Sequence, residues 1–540
     1  MKHRALIVFT VFLFGAIGAY AQSKSARIEQ AIIIYNDVLR QLDINYVDSL
    51  PYEKMTETAI NQMLRQVDPY TVYYPKEKDK DLKMMTTGKY GGIGAIIQQR
   101  EEKSDSLAAV KDNKSGKKKD KKRDTYVIVS EPYEHMPAQR AGLLAGDRIL
   151  EIDGKKMDNK SVSEVSDALR GTPHSTVSVK VQRYGVDEPL VFTFEREEVK
   201  LPAVSYYGLA SDKVAYIAFS EFTEHSSDDV RSALADLVNK QGAQALVFDL
   251  RDNGGGIIDE AVEIVNLFID KGQTVVSTRG KSQRNERTYT TTRQALYPNM
   301  PVVLLVNHNS ASASEIVAGS MQDMKRATLI GERTFGKGLV QSVRSVAYDG
   351  YIKVTTAKYY LPSGRCIQAI DYSKHQGKAV KDTTGGILPD IVMPDSSRKV
   401  DISYTLYTKQ LIFDYATRYR AMHDSIAPVR EFALTDADIE DFCNFLDAEG
   451  FTYETETGKY FKDMLDMAQH EDLDSATIAT LKAFEPQLCP SFREAVYRHK
   501  ADICKLLEAE IIERYYFQRG RIEYMLQHDE DLKKALEVLK

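Results

Sequence analysis

Pro301-Val-Val-Leu-Leu-Val306, then Asn307-His-Asn309, then Ser310-Ala-Ser-Ala-Ser-Glu315 reads as a strand running into a helix. The apolar run is short and broken by turn formers, as in strands buried on both faces. Ala313 to Met321 is rich in small residues and good helix formers, which predicts a helix and puts a serine at its N-terminus. The first N–H groups of a helix lack intrahelical partners and are suited to holding an oxyanion. Working outward, Ala243-Gln-Ala-Leu-Val-Phe-Asp-Leu250 is a second buried strand. It leads through the glycine-rich turn Arg251-Asp-Asn-Gly-Gly-Gly256 into a helical run, Asp259 to Phe268. Strand and helix patterns alternate from Val214 to about Ile370, which predicts an α/β core.

Downstream, Thr334-Phe-Gly-Lys-Gly338 supplies a lysine in weakly charged surroundings. A serine hydroxyl needs a base to become a nucleophile, and an ordinary lysine, with a pKa of about 10.4, is protonated at neutral pH. Desolvation disfavours the ammonium and makes the neutral amine a usable base. Lys337 lies between two glycines that let the backbone approach a neighbouring element. The pair reads as a Ser/Lys dyad. By residue type alone Ser310, Ser312 and Ser314 are equal candidates. A rival Ser/His/Asp reading would use His308 with Asp249 or Asp252.

The three segments in order, Asp249-Leu-Arg-Asp-Asn-Gly-Gly-Gly256, Ser310-Ala-Ser-Ala-Ser-Glu-Ile316 and Thr334-Phe-Gly-Lys-Gly338 with Gln341, resemble the signatures of the C-terminal processing (tail-specific) proteases, peptidase family S41. The resemblance spans roughly residues 28 to 396. It implies a multidomain α/β protein with a ClpP/crotonase-like serine protease core at 201–398 and an embedded PDZ domain. It further implies Ser312 as nucleophile, Lys337 as general base, Gln341 as the residue that orients the lysine, and the N–H groups of Ala313 and a turn glycine, Gly256 foremost, as the oxyanion hole. The family usually has proline where this chain has Gly254, a departure that loosens the turn and leaves the choice of glycine open.

Residues 88–200 match the PDZ pattern. Tyr90-Gly-Gly-Ile-Gly-Ala95 resembles the carboxylate-binding loop, with Gly92, Ile93, Gly94 and Ala95 expected to receive a peptide's C-terminus. Gly146-Asp-Arg-Ile-Leu150, Ile152-Asp-Gly154 and the helix Val162 to Leu169 follow in order. A lysine-rich insertion at 103–124 interrupts the domain and reads as a solvated loop, with a membrane surface or acidic partner as the second reading. Residues 22–87 are helical in pattern, Ile28 to Leu39 and Met55 to Val67, ending at Asp68-Pro69. In the resembled family this region packs on the core or a partner subunit. Residues 399–540 read as a helical extension, including Phe492 to Arg514 and Ile522 to Leu539, that packs on the core or mediates self-association.

The chain has 540 residues, 43% of them hydrophobic, and a formal charge of −6, which gives a large core and no footprint for nucleic acid. Lys2-His-Arg4, the apolar run to Phe14 and Ala19-Tyr-Ala21 have the three regions of a secretory signal peptide, so residues 1–21 are expected to be removed and the mature chain to be periplasmic. Cys366, Cys443, Cys489 and Cys504 lack metal-ligand spacing and read as buried free thiols, an oxidising compartment permitting a disulfide among the last three. No metal or organic cofactor is expected. The expected partners are protein or peptide substrates with free, apolar C-termini, with a homo-oligomer or an adaptor as further readings. The competing function is an inert PDZ-containing peptide-binding scaffold; a small-molecule esterase would use the same dyad.

Overall fold

The computed structural model describes residues 24–76, 84, 87–102, 124–372, 380–381, 385–394 and 401–540. The expected signal peptide and all but the last residue of the lysine-rich insertion lie outside them. Val302–Val306 is a strand with all five residues buried, inside a six-stranded sheet. The strand order is Val204–Ser211, Val214–Phe219, Ala245–Asp249, Val302–Val306, Thr328–Gly331, Ile391–Val392; the first pair is antiparallel and the rest parallel. Parallel neighbours need crossovers, and three of the helices between these strands, Ser226–Asn239, Ile258–Asn266 and Ala313–Asp323, pack on one face.

Side chains alternate across a strand, so continuous apolar runs mean that both faces are covered. Val302, Leu304 and Val306 join the three helices, whereas Val303 and Leu305 face the other way with Val247, Tyr216 and Ile330. That second face is covered by the last helix of the chain, Glu530–Val538, through Leu532 and Ala535. The C-terminal extension therefore completes the protease core as its third layer.

A second sheet carries the lysine segment. Its central strand, Tyr351–Tyr360, pairs with Val72–Tyr74, Thr274–Gly280 and Leu339–Ser345, all antiparallel. The PDZ domain is a five-stranded antiparallel sheet, Ala95–Glu101, Thr125–Pro132, Arg148–Ile152, Thr176–Gln182 and Leu190–Glu195, with a short hairpin strand at 155–156. Its helix Val162–Leu169 starts at a capping box in which Ser161 and Glu164 satisfy each other's backbone N–H groups. Glu102 N–H donates to Asp124 O, so the insertion leaves and re-enters the sheet at one point.

The N-terminal region forms helices Lys24–Asn45 and Tyr52–Arg65; the first buries none of its residues. The extension packs its own core around Tyr415, Phe442, Leu446 and Ile511. Two sequence-predicted helices there are corrected. Phe492 to Arg514 breaks at His499 into Phe492–Arg498 and Lys500–Gln527, the latter with a non-helical Phe517 inside. Ile522 to Leu539 breaks at His528-Asp529, because the Asp529 carboxylate accepts the Leu532 N–H and caps a new helix. All four cysteines are free thiols; Cys443 is buried and the other three partly so. Among the described residues no helix is long and apolar enough to cross a membrane.

Candidate active site

The serine segment and the glycine turn are stitched together by the two flanking serines. Ser310 Oγ donates to Leu250 O at 2.8 Å and accepts the Asn307 N–H at 3.0 Å, while Ser314 Oγ donates to Asn253 O at 2.9 Å. Both hydroxyls are fully buried and spent on backbone. Ser312 differs. It takes φ 58° and ψ −113°, left-handed for a residue with a side chain, at the start of the helix Ala313–Asp323. Such strain persists where surrounding structure imposes it and is common at reactive positions.

The structure also separates the histidine rival from the serine. His308 Nδ1 lies 2.8 Å from Glu332 Oε2 on the surface, Asp252 binds the side chains of Asn307 and Asn309, and Asp249 binds Arg251 and Tyr216. None of the three reaches Ser312.

Glu315 joins the serine to the lysine segment. Its Oε2 accepts the N–H groups of Ser312 (2.9 Å) and Lys337 (2.8 Å); its Oε1 accepts the Thr334 hydroxyl (2.6 Å) and the Gly336 N–H (2.8 Å). Burial pushes the Glu315 carboxyl up from its ordinary pKa, and these four donors pull it back. The two glycines beside Lys337 allow the close approach: a Cβ on Gly336 would lie 2.3 Å from Ala369 Cβ, and one on Gly338 2.4 Å from Gln368 N.

Lys337 is half-buried. Desolvation, with the charge of Lys353 second, draws its ammonium below the ordinary lysine pKa, and Glu315 opposes them. Its Nζ lies 4.8 Å from the centre of the Tyr70 ring. Tyr70 follows Asp68, whose buried carboxylate accepts the N–H groups of Tyr70 and Thr71 and fixes this turn against the second sheet. Among the described residues no hydrogen bond joins Lys337 Nζ to Ser312 Oγ. Nor does the Gln341 amide reach the lysine; it makes long bonds to Leu339 O (3.3 Å) and Thr355 Oγ1 (3.4 Å). Tyr359, its hydroxyl pushed up to about 12 by burial, interacts with the Ser312 side chain instead.

The glycine turn abuts the serine directly. A Cβ at Gly255 would lie 2.7 Å from Ser312 Cβ and 2.8 Å from Ala313 N, and Gly255 N–H is occupied by Asn253 Oδ1. Gly256 bridges Phe222 through its neighbours, with Phe222 N–H donating to Gly255 O and Ile257 N–H to Phe222 O, so its own N–H faces away from Phe222. Among the described residues neither the Gly256 nor the Ala313 N–H donates a hydrogen bond. Gly254 is exposed with open space around its Cβ position.

In the PDZ domain, Ile93 and Ala95 line a cavity of about 200 Å³ with Tyr90, Ile97, Leu169 and Arg170. Gly92 pairs with Glu197, and Gly94, at φ 71°, turns the chain into the strand Ala95–Glu101. Glu315, Tyr70, Tyr359 and Asn253 are site residues that sequence reading missed. Only Glu315 left a local signal, the Ser-x-x-Glu spacing of a helix start at 312–315.

Three family models match the chain: peptidase family S41 over residues 213–393, a PDZ domain over 128–183, and the C-terminal helical domain of a probable PDZ-protease over 402–539. The helical extension thus recurs in other PDZ-containing proteases. A carboxy-terminal-processing protease of Bartonella bacilliformis is 33% identical over 413 residues, covering 74% of this chain and 86% of the relative. A probable CtpA-like serine protease of Staphylococcus aureus is 31% identical over 389 residues, 70% of this chain and 72% of the relative. Among solved structures, the photosystem II D1 C-terminal processing protease is 26% identical and covers 66% of this chain and 86% of its own, with a TM-score of 0.36. With its Ser-Ala-Ser and Phe-Gly-Lys-Gly segments joined at one buried carboxylate and a PDZ domain ahead of them, the chain belongs to the carboxy-terminal-processing serine proteases of peptidase family S41.

Proposed function

We propose that this serine protease is an exported endopeptidase that captures a protein by its free C-terminus and cuts it with a Ser312/Lys337 dyad. The carrying observation is the Glu315 carboxylate, which accepts the backbone N–H of both residues and so fixes the two segments against each other. Ser312 Oγ attacks the scissile carbonyl, neutral Lys337 takes its proton and later returns one to the leaving amine, and the N–H groups of Ala313 and Gly256 hold the oxyanion. Lys337 Nζ sits on the Tyr70 ring, and the mechanism needs it to swing to Ser312 Oγ. Its side chain has four rotatable carbons, and the long Gln341 bonds are cheap to exchange for one to the lysine. Export is supported by the basic, apolar and small-residue regions of residues 2–21.

Tail capture is supported by the cavity lined by Ile93 and Ala95, whose size and lining suit one apolar terminal side chain. The test uses an unfolded protein ending in an apolar residue, offered as the free acid and as the amide, with fragments and any acyl adduct read by mass spectrometry. The acid is expected to be cut at least about tenfold faster, a difference of about 1.4 kcal/mol, through an adduct on Ser312. An adduct on another residue sinks the mechanism, equal rates sink tail capture, and binding without cleavage marks an inert scaffold.

The base must be deprotonated, so kcat/KM is expected to rise with pH along one limb set by Lys337, centred below the ordinary lysine pKa. Lys353 lowers the Lys337 pKa through like charge. Lys353→Gln removes that repulsion, so the limb is expected to move to higher pH. A limb that stays put, or moves to lower pH, counts against Lys337 as the base.

A further inference from the structure

We propose that the final helix of the chain positions the active site: Asp529 and Asp531 hold Arg251, and Arg251 holds the turn that presents Gly256 to Ser312. The proposal rests on the reading of Gly256 N–H as an oxyanion donor and adds to it a pair of positioning residues nearly 280 positions away in sequence.

Arg251 is the second residue after the strand Ala245–Asp249 and opens the glycine turn. Its guanidinium is shared by three carboxylates. Nε and Nη2 donate to Asp249 (3.0 and 2.6 Å), Nη2 and Nη1 donate to Asp529 (2.5 and 3.2 Å), and Nη1 donates to Asp531 Oδ2 (3.1 Å). Asp249 Oδ1 also accepts the backbone N–H of Arg251 at 2.9 Å, and Asp249 Oδ2 accepts the Tyr216 hydroxyl at 2.6 Å. One carboxylate thus grips the Arg251 side chain and its backbone together, and a planar guanidinium fixes direction as well as distance. The side chains of Asp249 and Asp529 are 8% and 13% exposed, which keeps solvent screening low.

The helix that brings the two acids is held rigidly to the same strands. Leu532 and Ala535 are buried against Val247, Val303 and Leu305, so the anchor rides on the two strands that lead to the turn and to the serine. On its other side the turn is fixed by Asn253, which donates to Phe219 O and accepts the Gly255 N–H, and by Asp252 with Asn307. Arg251 is the tether from the helix side. An oxyanion donor works only at hydrogen-bond distance from the developing charge, and a displacement of about 1 Å costs on the order of 100-fold in rate.

The experiment uses the mature full-length chain with Asp529→Asn and Asp531→Asn together. Asparagine caps helices as well as aspartate, so the helix start survives while two of the three charges on Arg251 are lost and Asp249 alone remains. At a temperature well below melting, kcat is expected to fall about tenfold to 100-fold with KM and the affinity for a free-acid tail peptide unchanged. The loss is expected to be non-additive with Arg251→Gln, and Asp529→Glu with Asp531 intact to restore most of it. A double variant that melts earlier yet keeps kcat within twofold overturns the proposal, as does a loss shared equally by KM and tail affinity. Should the double variant fail to fold, Asp531→Asn alone, which removes one contact and no cap, is held to the same split. Ser312→Ala run in parallel separates the two readings: activity surviving there defeats the dyad, whereas an inactive Ser312→Ala beside a fully active Asp529/Asp531 variant defeats only the positioning role.

Discussion

Ser312→Ala and Lys337→Ala are each expected to lower kcat by about 10⁴- to 10⁶-fold while leaving the affinity for a free-acid tail peptide unchanged, and the double variant to be no worse than either single one. Residues that act as a unit give such non-additive losses, because removing either ends the shared step. Lys337→Arg is expected to be as inactive as the alanine variant. A guanidinium keeps its proton at every accessible pH and offers no base. Cleavage followed by mass spectrometry, with tail binding measured separately, decides the matter. Activity remaining in Ser312→Ala would need another hydroxyl, yet those of Ser310 and Ser314 are buried and donate to Leu250 O and Asn253 O. Normal activity in Lys337→Ala would transfer the base to another group.

The second large effect concerns Glu315. Each of its oxygens accepts two hydrogen bonds, from Thr334 and Gly336 on one side and from Ser312 and Lys337 on the other. Glu315→Gln keeps the volume but turns one oxygen into an amino group, which faces two backbone N–H donors in one orientation and, in the other, the Gly336 N–H beside the Thr334 hydroxyl, itself able to accept. At least one buried donor is left without an acceptor, so a stability loss of about 1–3 kcal/mol is expected, read from urea unfolding. Activity is expected to fall at least about 100-fold even where the variant is folded, since the serine and lysine backbones lose their common anchor. A glutamine variant with unchanged kcat would show that the bridge does not align the dyad.

Legibility from sequence followed the range of the interactions. The strands at 245–249 and 302–306 and the helix from Ala313 were readable because each is written in a contiguous run of its own residues. Gly336 and Gly338 announced a close approach, and Ala369 and Gln368 are what approaches. Equal by residue type, the three serines are told apart in the sequence by the family resemblance alone, and in the structure by the carbonyls that Ser310 and Ser314 find some 60 residues upstream and by the backbone of Ser312. Tyr70 on Lys337 and Tyr359 by Ser312 depend on the second sheet folding back, for which no local pattern exists. The long helices expected in the extension were overdrawn because periodicity runs on across His499 and His528, whereas Asp529 ends one helix and begins another by a single side-chain bond. The sequence implied an extension that packs on the core or mediates self-association, but which face it covers, and with Leu532 and Ala535, was not legible.

The left-handed backbone of Ser312 amounts to an exchange between durability and reactivity. Among the twenty residues glycine alone adopts φ 58° without penalty, so a serine there costs about 1 kcal/mol or more of fold stability. Good folding by itself would favour glycine at this position, and Ser312→Gly is expected to give a sturdier protein that lacks the proposed nucleophile. The stitches at Ser310 and Ser314 and the anchor at Glu315 supply the surplus that lets the chain keep a hydroxyl where its backbone is least at ease.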